Sequence, residues 1–276
     1  MQQQNDQRRA HDRSFCYYST MISWGARRQL SILVGFVLLI GAAVGVLFYT
    51  LAPDSTCFDG KKGRTELGID CGGSCRAVCE DEVADVLVRW SKVIPVSSGQ
   101  YDVAAFITNP NDRFVVGELR YTFKVFDENN ILITERSGRT YVGPRDEFVI
   151  YEPRVNTAAR TPRRTSIIFE DPPWERIETV PGPTVFVRNQ QFESSRRPLI
   201  TAEVVNSGNY EQRNLEVSAV LMEADRNVFA VSRTVIDVLA PQGSQQLLFS
   251  WPQQFSQQPA FIELYPHYIR EGLSQD

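Results

Sequence analysis

Four cysteines crowd into 23 residues, Cys57, Cys71, Cys75 and Cys79, and their sulfurs offer two chemistries. On the oxidising side of a membrane they close two disulfides; kept as thiolates they form a zinc site. Zinc knuckles use cysteine pairs two residues apart, whereas here 13, 3 and 3 residues separate successive cysteines, so two disulfides are expected. Four cysteines allow three connectivities, and the spacing does not choose among them. A segment this short has no core, so its rigidity must come from the bridges, each contributing on the order of 2 to 4 kcal/mol. Asp59, Glu66 and Asp70 lie among the cysteines and supply hard oxygens, which makes them a weak calcium candidate. Without EF-hand order they read more simply as solvated turn carboxylates, and no metal or other cofactor is expected.

A second charged feature is RVNTAARTPRRTS, which puts Arg154, Arg160, Arg163 and Arg164 in one loop, with Arg196 and Arg197 in the corresponding region further on. Such a cluster can grip the phosphates or carboxylates of a wall polymer, or an acidic protein patch. The plain alternative is a solvated loop balancing an acidic body. Only two histidines occur, His11 and His267, and neither has an evident nucleophile or carboxylate partner. With no phosphate-binding loop either, the sequence points away from an enzyme. A net charge of −4 without any nucleic-acid-binding motif argues against a nucleic-acid partner. Trp174, Tyr265 and Tyr268 are candidate exposed anchors, although the alternation of Phe261, Glu263 and Tyr265 reads as part of a last strand.

These groups must be positioned from a membrane anchor. Residues 30–52, LSILVGFVLLIGAAVGVLFYTLA, carry no charge, and 23 residues of helix span about 35 Å against a hydrocarbon core of about 30 Å. A cleaved signal peptide would have a shorter apolar core, and Pro53 directly after Ala52 should hinder cleavage, so an uncleaved signal anchor is expected. The arm before it has Arg8, Arg9, Arg13, Arg27 and Arg28 against Asp6 and Asp12, a charge of +3, which leaves −7 for the rest of a chain at −4. Lys61, Lys62 and Arg64 follow the span, so the positive-inside bias is modest; it places the N-terminus in the cytoplasm and the C-terminus outside the cell membrane. Gly41 and Gly45 form one G-x-x-x-G, a candidate homodimer contact within the span. The acidic body should stand off anionic headgroups.

Beyond Glu80 the chain reads as strands, and it repeats. At an offset of 96 to 97, Val103, Ala105, Ile107 and Asn109 fall on Ile200, Ala202, Val204 and Asn206. After one gap Leu119, Tyr121, Phe123 and Val125 fall on Leu215, Val217, Ala219 and Leu221. Polar neighbours alternate with both sets, Arg120, Thr122 and Lys124 in one and Glu216 and Ser218 in the other, the signature of strands with one buried face. Turns fall at matching places: NPND and NSGN, then DENN and EADRN, then the loops at Pro144 and Pro241. Short strands at this spacing in units of about 95 residues indicate antiparallel sandwiches of immunoglobulin or fibronectin III type. The Pro-rich join EDPPWERIETVPGP is expected to be a stiff linker that holds the two copies apart as a rod.

Three stretches resemble known families. CFDGKKGRTELGIDCGGSCRAVC is similar to the extracellular C-x-D-G…E-x-G-x-D-C-G-G-x-C…C module, matching at Cys57, Asp59, Gly60, Glu66, Gly68, Asp70, Cys71, Gly72, Gly73, Cys75 and Cys79 and departing at Gly63, where Asn is more usual. Phe123-Lys124-Val125-Phe126-Asp127 resembles the F-x-L-Y-D core of the FxLYD family. The second copy, from Ile200 to Trp251, resembles the bacterial cell-adhesion-related domain (CARDB), with its T-x-x-V-x-N-x-G opening and its aliphatic-A-P-x-G turn. The resemblances imply sandwich modules of bacterial envelope proteins, and binding or spacing rather than catalysis.

The expected fold is mainly β: a cytoplasmic tail (1–29), a transmembrane anchor (30–52), a disulfide-rich stalk (53–80), sandwich one (81–176), a linker (177–182) and sandwich two with a C-terminal tail (183–276). The expected function is that of a non-enzymatic single-pass protein binding an envelope protein or wall polymer outside the membrane. The alternative is an accessory subunit of a secretion, pilus or division complex.

Overall fold

A computed structural model describes residues 24–51, 57–179, 182 and 184–268. The arm with Arg8, Arg9, Arg13, His11 and Cys16, the junction at Pro53, and the tail beyond residue 268 lie outside the described residues. The chain divides into two units, 1–54 and 55–276.

The first unit holds α1 (Trp24–Leu51), of which Trp24–Leu47 is long and apolar enough to cross a membrane, at a mean hydropathy of 2.7. The helix begins six residues before the uncharged run and takes in Arg27 and Arg28, with the Arg28 guanidinium 5.8 Å over the Trp24 ring. A helix satisfies all its internal backbone groups within the segment, which is what an apolar solvent demands. Gly41 and Gly45 lie on this helix with open space around them.

The second unit opens with the strandless cysteine segment (57–79) and a short 3-10 turn at Glu80–Glu82, and its remaining regular elements are strands. Its first copy contains β1 (Leu87–Ser97), β2 (Gln100–Thr108), β3 (Phe114–Phe126), β4 (Leu132–Val142), β5 (Glu147–Val155), β6 (Arg164–Phe169) and β7 (Trp174–Arg176). One sheet runs β1-β2-β5; the facing sheet runs β4-β3-β6, with β7 added to the start of β3. The second copy contains β8 (Val185–Glu193), β9 (Leu199–Asn206), β10 (Gln212–Met222), β11 (Val228–Leu239), β12 (Ser244–Ser250) and β13 (Phe261–Tyr268). Its sheets, β8-β9-β12 and β11-β10-β13, repeat the strand order of the first copy. The aligned residues occupy equivalent places: Val103, Ile107, Phe123 and Val125 close one core, and Ile200, Val204, Ala219 and Leu221 the other.

A buried asparagine performs the same task in each copy. Asn109 Nδ2 donates to the Phe114 and Gly143 carbonyls at 2.9 and 2.6 Å, and Asn206 Nδ2 donates to the Tyr210 and Ala240 carbonyls at 2.8 and 3.0 Å. Each clamps the two loops at one end of its sandwich, so carbonyls that would be orphaned by burial are satisfied.

The arrangement of the copies corrects the sequence expectation. They are not held apart by the join: its first half enters the first sandwich, where β7 pairs with Phe114, Val115 and Val116 and Trp174 packs on the first core. A third apolar layer, made of Ile94, Ala104, Val149, Val220, Met222, Val228 and Val231, joins the outer face of β1-β2-β5 to the outer face of β11-β10-β13. The unit is therefore four sheets deep with three apolar layers between them. Glu216 and Ser218, which alternation assigns to solvent, lie in this contact at 6% and 2% exposure. Burial of both faces accounts for the near-continuous apolar runs Val103–Ile107 and Val217–Met222 in β2 and β10.

Candidate functional site

In the cysteine segment Cys57 is bridged to Cys75 and Cys71 to Cys79, which selects one of the three connectivities. Two glycines of the motif are required by this packing. A Cβ at Gly68 would meet the Cys71 and Cys79 sulfurs at 2.5 and 2.8 Å, and one at Gly73, with φ +60°, would meet the Thr65 carbonyl oxygen at 1.9 Å. The segment's acids serve backbone donors. Asp70 accepts from the amides of Asp59 and Gly60 at 3.0 and 2.9 Å, Glu66 accepts from Gly63 at 2.7 Å, and Asp59 accepts from Lys61 at 2.9 Å. Glu66 also lies within reach of Cys57 and Cys75, but a bridged sulfur is no thiolate and offers a metal nothing.

The segment is tied to the first sandwich. Ala77 bridges Glu175 of β7, Arg176 pairs with Glu82, and Asn111 exchanges hydrogen bonds with the Ala84 backbone at 2.9 and 2.7 Å. Disulfides and strand pairing together give it a fixed place on the β unit.

The four arginines do not share one loop: Arg154 lies in β5, Arg164 opens β6, and only Arg160 and Arg163 lie in the connection between them. Arg160 is half-buried, pairs with Asp127 and donates to the Leu132 carbonyl at 3.2 Å. Asp127, the last residue of the F-x-L-Y-D-like stretch, also accepts from the amides of Asn129 and Ile131 at 2.9 Å each. It thereby builds the β3–β4 turn, and its pKa is held below the usual carboxylate value, first by the Ile131 amide and also by Arg160. Arg154, Arg163 and Arg164 are exposed, the last with its guanidinium 4.5 Å over the Phe126 ring. Arg154 sits at φ +53°, with its amide donating to Asp102 at 2.7 Å. Arg196 and Arg197 are exposed in the turn between β8 and β9.

The aromatic candidates are not free anchors. Trp174 packs on the first core, Tyr268 on the second, and Tyr265 lies against Phe106 across the inter-copy layer, with ring centroids 4.8 Å apart and planes tilted by 46°. His267, which has no partner legible in the sequence, finds three there. Its ring stacks on Phe148 at 3.9 Å, Nε2 lies 3.0 Å from the Thr140 hydroxyl, and Nδ1 lies 3.1 Å from Asp146 Oδ2, at ion-pair distance but outside hydrogen-bond geometry.

Next to His267 on the same face, Arg233 Nη1 lies 3.1 Å from Glu216, and the Arg233 guanidinium sits 5.8 Å over the Tyr151 ring. Burial raises the Glu216 pKa above the usual carboxylate value, and Arg233 and His267 only partly offset it. Burial raises Asp102 similarly, although the Tyr151 hydroxyl and the Arg154 amide both donate to it. In the first core, Glu152 accepts from the Tyr121 hydroxyl at 2.7 Å and from Arg136 at 2.9 Å, and burial followed by this carboxylate pushes the Tyr121 phenol up. These buried polar groups join elements to one another.

No family model and no curated relative matches the chain. Among solved structures, red sea bream transglutaminase is similar over 68% of this chain and 32% of its own, at 11% identity and a TM-score of 0.24. The β-glucuronidase of Parabacteroides merdae is similar over 63% and 29%, at 10% identity and a TM-score of 0.18. This chain spans about a third of the length of either protein, and likenesses at such TM-scores carry no argument about activity.

Proposed function

We propose that this is a single-pass, membrane-anchored protein that presents its β unit outside the cytoplasm and acts by binding or scaffolding, without catalysis. The observation that carries the reading is the joining, in one chain, of a membrane-length apolar helix to a segment closed by two disulfides. Structural disulfides persist on the oxidising side of a membrane, and Arg27 and Arg28 at the start of the helix favour its N-terminal end on the other side. His267 supports the non-catalytic half, because its ring is buried between the two copies, against Phe148.

Contact with partners falls to what the four-layer unit leaves open. The outer face of β4-β3-β6 carries Arg120, Thr122, Lys124, Glu135 and Arg139; Arg164 at the start of β6 and Arg163 just before it are exposed, as is Arg154 near the end of β5. These arginines are the binding groups we assign to an anionic partner, a wall polymer or an acidic protein patch. In-cell crosslinking of the tagged full-length chain, with mass spectrometric mapping, tests this. Crosslinks through 57–268 to exported proteins or wall polymer are expected. Crosslinks confined to 1–51 and a fixed set of membrane proteins would overturn the reading in favour of a subunit that works through its helix.

A further inference from the structure

The cysteine segment carries a surface that neither the sandwiches nor the disulfides use. Phe58, Leu67 and Ile69 are exposed at 92%, 55% and 62%. A segment with almost no core is expected to bury such residues first, yet here the bridges hold the fold and leave three large apolar side chains in solvent. Lys61, Lys62 and Arg64 lie between them in sequence and are exposed as well. The neighbouring acids are turned to other uses: Glu66 is buried on the Gly63 amide, and Asp70 binds the Asp59 and Gly60 amides. Asp59 is exposed beside Phe58 with Oδ1 accepting from the Lys61 amide, so the outward side chains are the three apolar ones, the cations and this one acid, on a body whose overall charge is acidic.

We infer that this surface docks in the headgroup region of the same bilayer that α1 crosses, with Phe58, Leu67 and Ile69 at the acyl boundary and Lys61 and Lys62 on anionic headgroups. This inference rests on the anchored reading above. Only residues 52–56 separate the end of α1 from Cys57, and six residue steps reach at most about 20 Å. The tether thus holds the segment near the membrane surface whatever the rest of the unit does. Aromatic and aliphatic residues flanked by Lys and Arg are the side-chain set that partitions into a bilayer interface. Each cation near an anionic surface adds about 1 kcal/mol, while the acidic remainder is repelled. The disulfides supply rigidity, so docking orders little new chain. The result is a rigid foot on the cysteine segment.

The test uses the full-length chain in phosphatidylcholine vesicles with and without phosphatidylglycerol. Phe58→Trp and Ile69→Trp each introduce an indole at a solvent-exposed position, so folding is not at stake, and wild-type emission is subtracted. Tyr210→Trp, at a position 82% exposed in the β9–β10 loop, is the reference. Expected is blue-shifted emission for the indoles introduced at 58 and 69, with quenching by lipids brominated near the headgroup roughly twofold or more above the reference. Lys61→Ala with Lys62→Ala should lower that quenching in the phosphatidylglycerol vesicles. Quenching at 58 and 69 equal to the reference, in chains that float with the vesicles, overturns the foot and leaves the anchor standing. Chains that do not float overturn the anchored reading and the foot with it.

Discussion

His267 on β13 stacks on Phe148 of β5 with ring centroids 3.9 Å apart and planes 8° from parallel. Phe148 belongs to the core of the first copy and is fully buried, so a residue of the second copy completes the packing of the first. Phe148→Ala should cost about 3 to 5 kcal/mol and His267→Ala about 2 kcal/mol. The double variant should show a coupling of about 0.5 to 1.5 kcal/mol in denaturant unfolding. Additivity within a few tenths of a kcal/mol would mean that the stack does no joining.

The inter-copy layer makes the sandwiches one cooperative unit. Val220, 1% exposed, belongs to this layer together with Ala104 and Val149. Val220→Asp puts an unpaired carboxylate there, at a cost of several kcal/mol if the layer stays closed. Calorimetry of the wild type should show a single transition for the β unit, and the variant two, one for each copy. A variant that melts once at the wild-type temperature would contradict the layer.

Acid and base act on this protein through different carboxylates. Glu216 has a folded pKa raised by burial above its ordinary value of 4.5, so between 4.5 and the raised value the folded state holds a proton that the unfolded state has lost. Stability from this group is fully present below 4.5 and falls as pH rises through the folded pKa. Glu203, held down to about 2 chiefly by Arg188, works the other way: its contribution is present above 4.5 and is lost as pH falls towards 2. Glu216→Gln should therefore gain on the wild type, in melting temperature, as pH rises from 4.5 to neutrality. A difference that does not change with pH would remove Glu216 from this role.

The disulfide frame yields a covalent prediction. Peptide mapping without reduction should recover Cys57 with Cys75 and Cys71 with Cys79. Replacing Cys57 and Cys75 together by Ser opens the larger loop and should cost about 3 kcal/mol. Gly73→Ala should destabilise the segment with both bridges intact, because its Cβ has no room beside the Thr65 carbonyl. Recovery of Cys57 with Cys71 or Cys79 would contradict the fold of this segment.

What the sequence revealed and what it hid follow from the range of each signal. Offsets of 96 to 97 located two equal sandwiches because turn chemistry and inward residues are local, and Asn109 and Asn206 occupy the same structural place in each. Alternation in β10 was read for one face, whereas Val220 and Met222 stand on the other face beside Glu216 and Ser218, all four buried. The unbroken apolar run from Val103 to Ile107 was the available sign of a strand covered on both sides. His267 gave no local signal, since Thr140, Asp146 and Phe148 lie more than a hundred residues away in the chain. Arg160 could not be told from Arg154, Arg163 and Arg164 by spacing; only the fold brings Asp127 to it.

The central claim, a β unit held outside the membrane by an uncleaved helix, can be tested with the protein's own lysines. They stand at positions 61, 62, 92 and 124, and the arm before the helix has none. Intact cells producing an N-terminally tagged chain would be treated with a membrane-impermeant amine reagent and washed with carbonate, and the tagged protein would be recovered from the membranes and mapped. Lys61, Lys62, Lys92 and Lys124 should be modified on a full-length chain that still carries its tag. Modification of these lysines only after lysis, or a labelled body released without the tag, would contradict the claim.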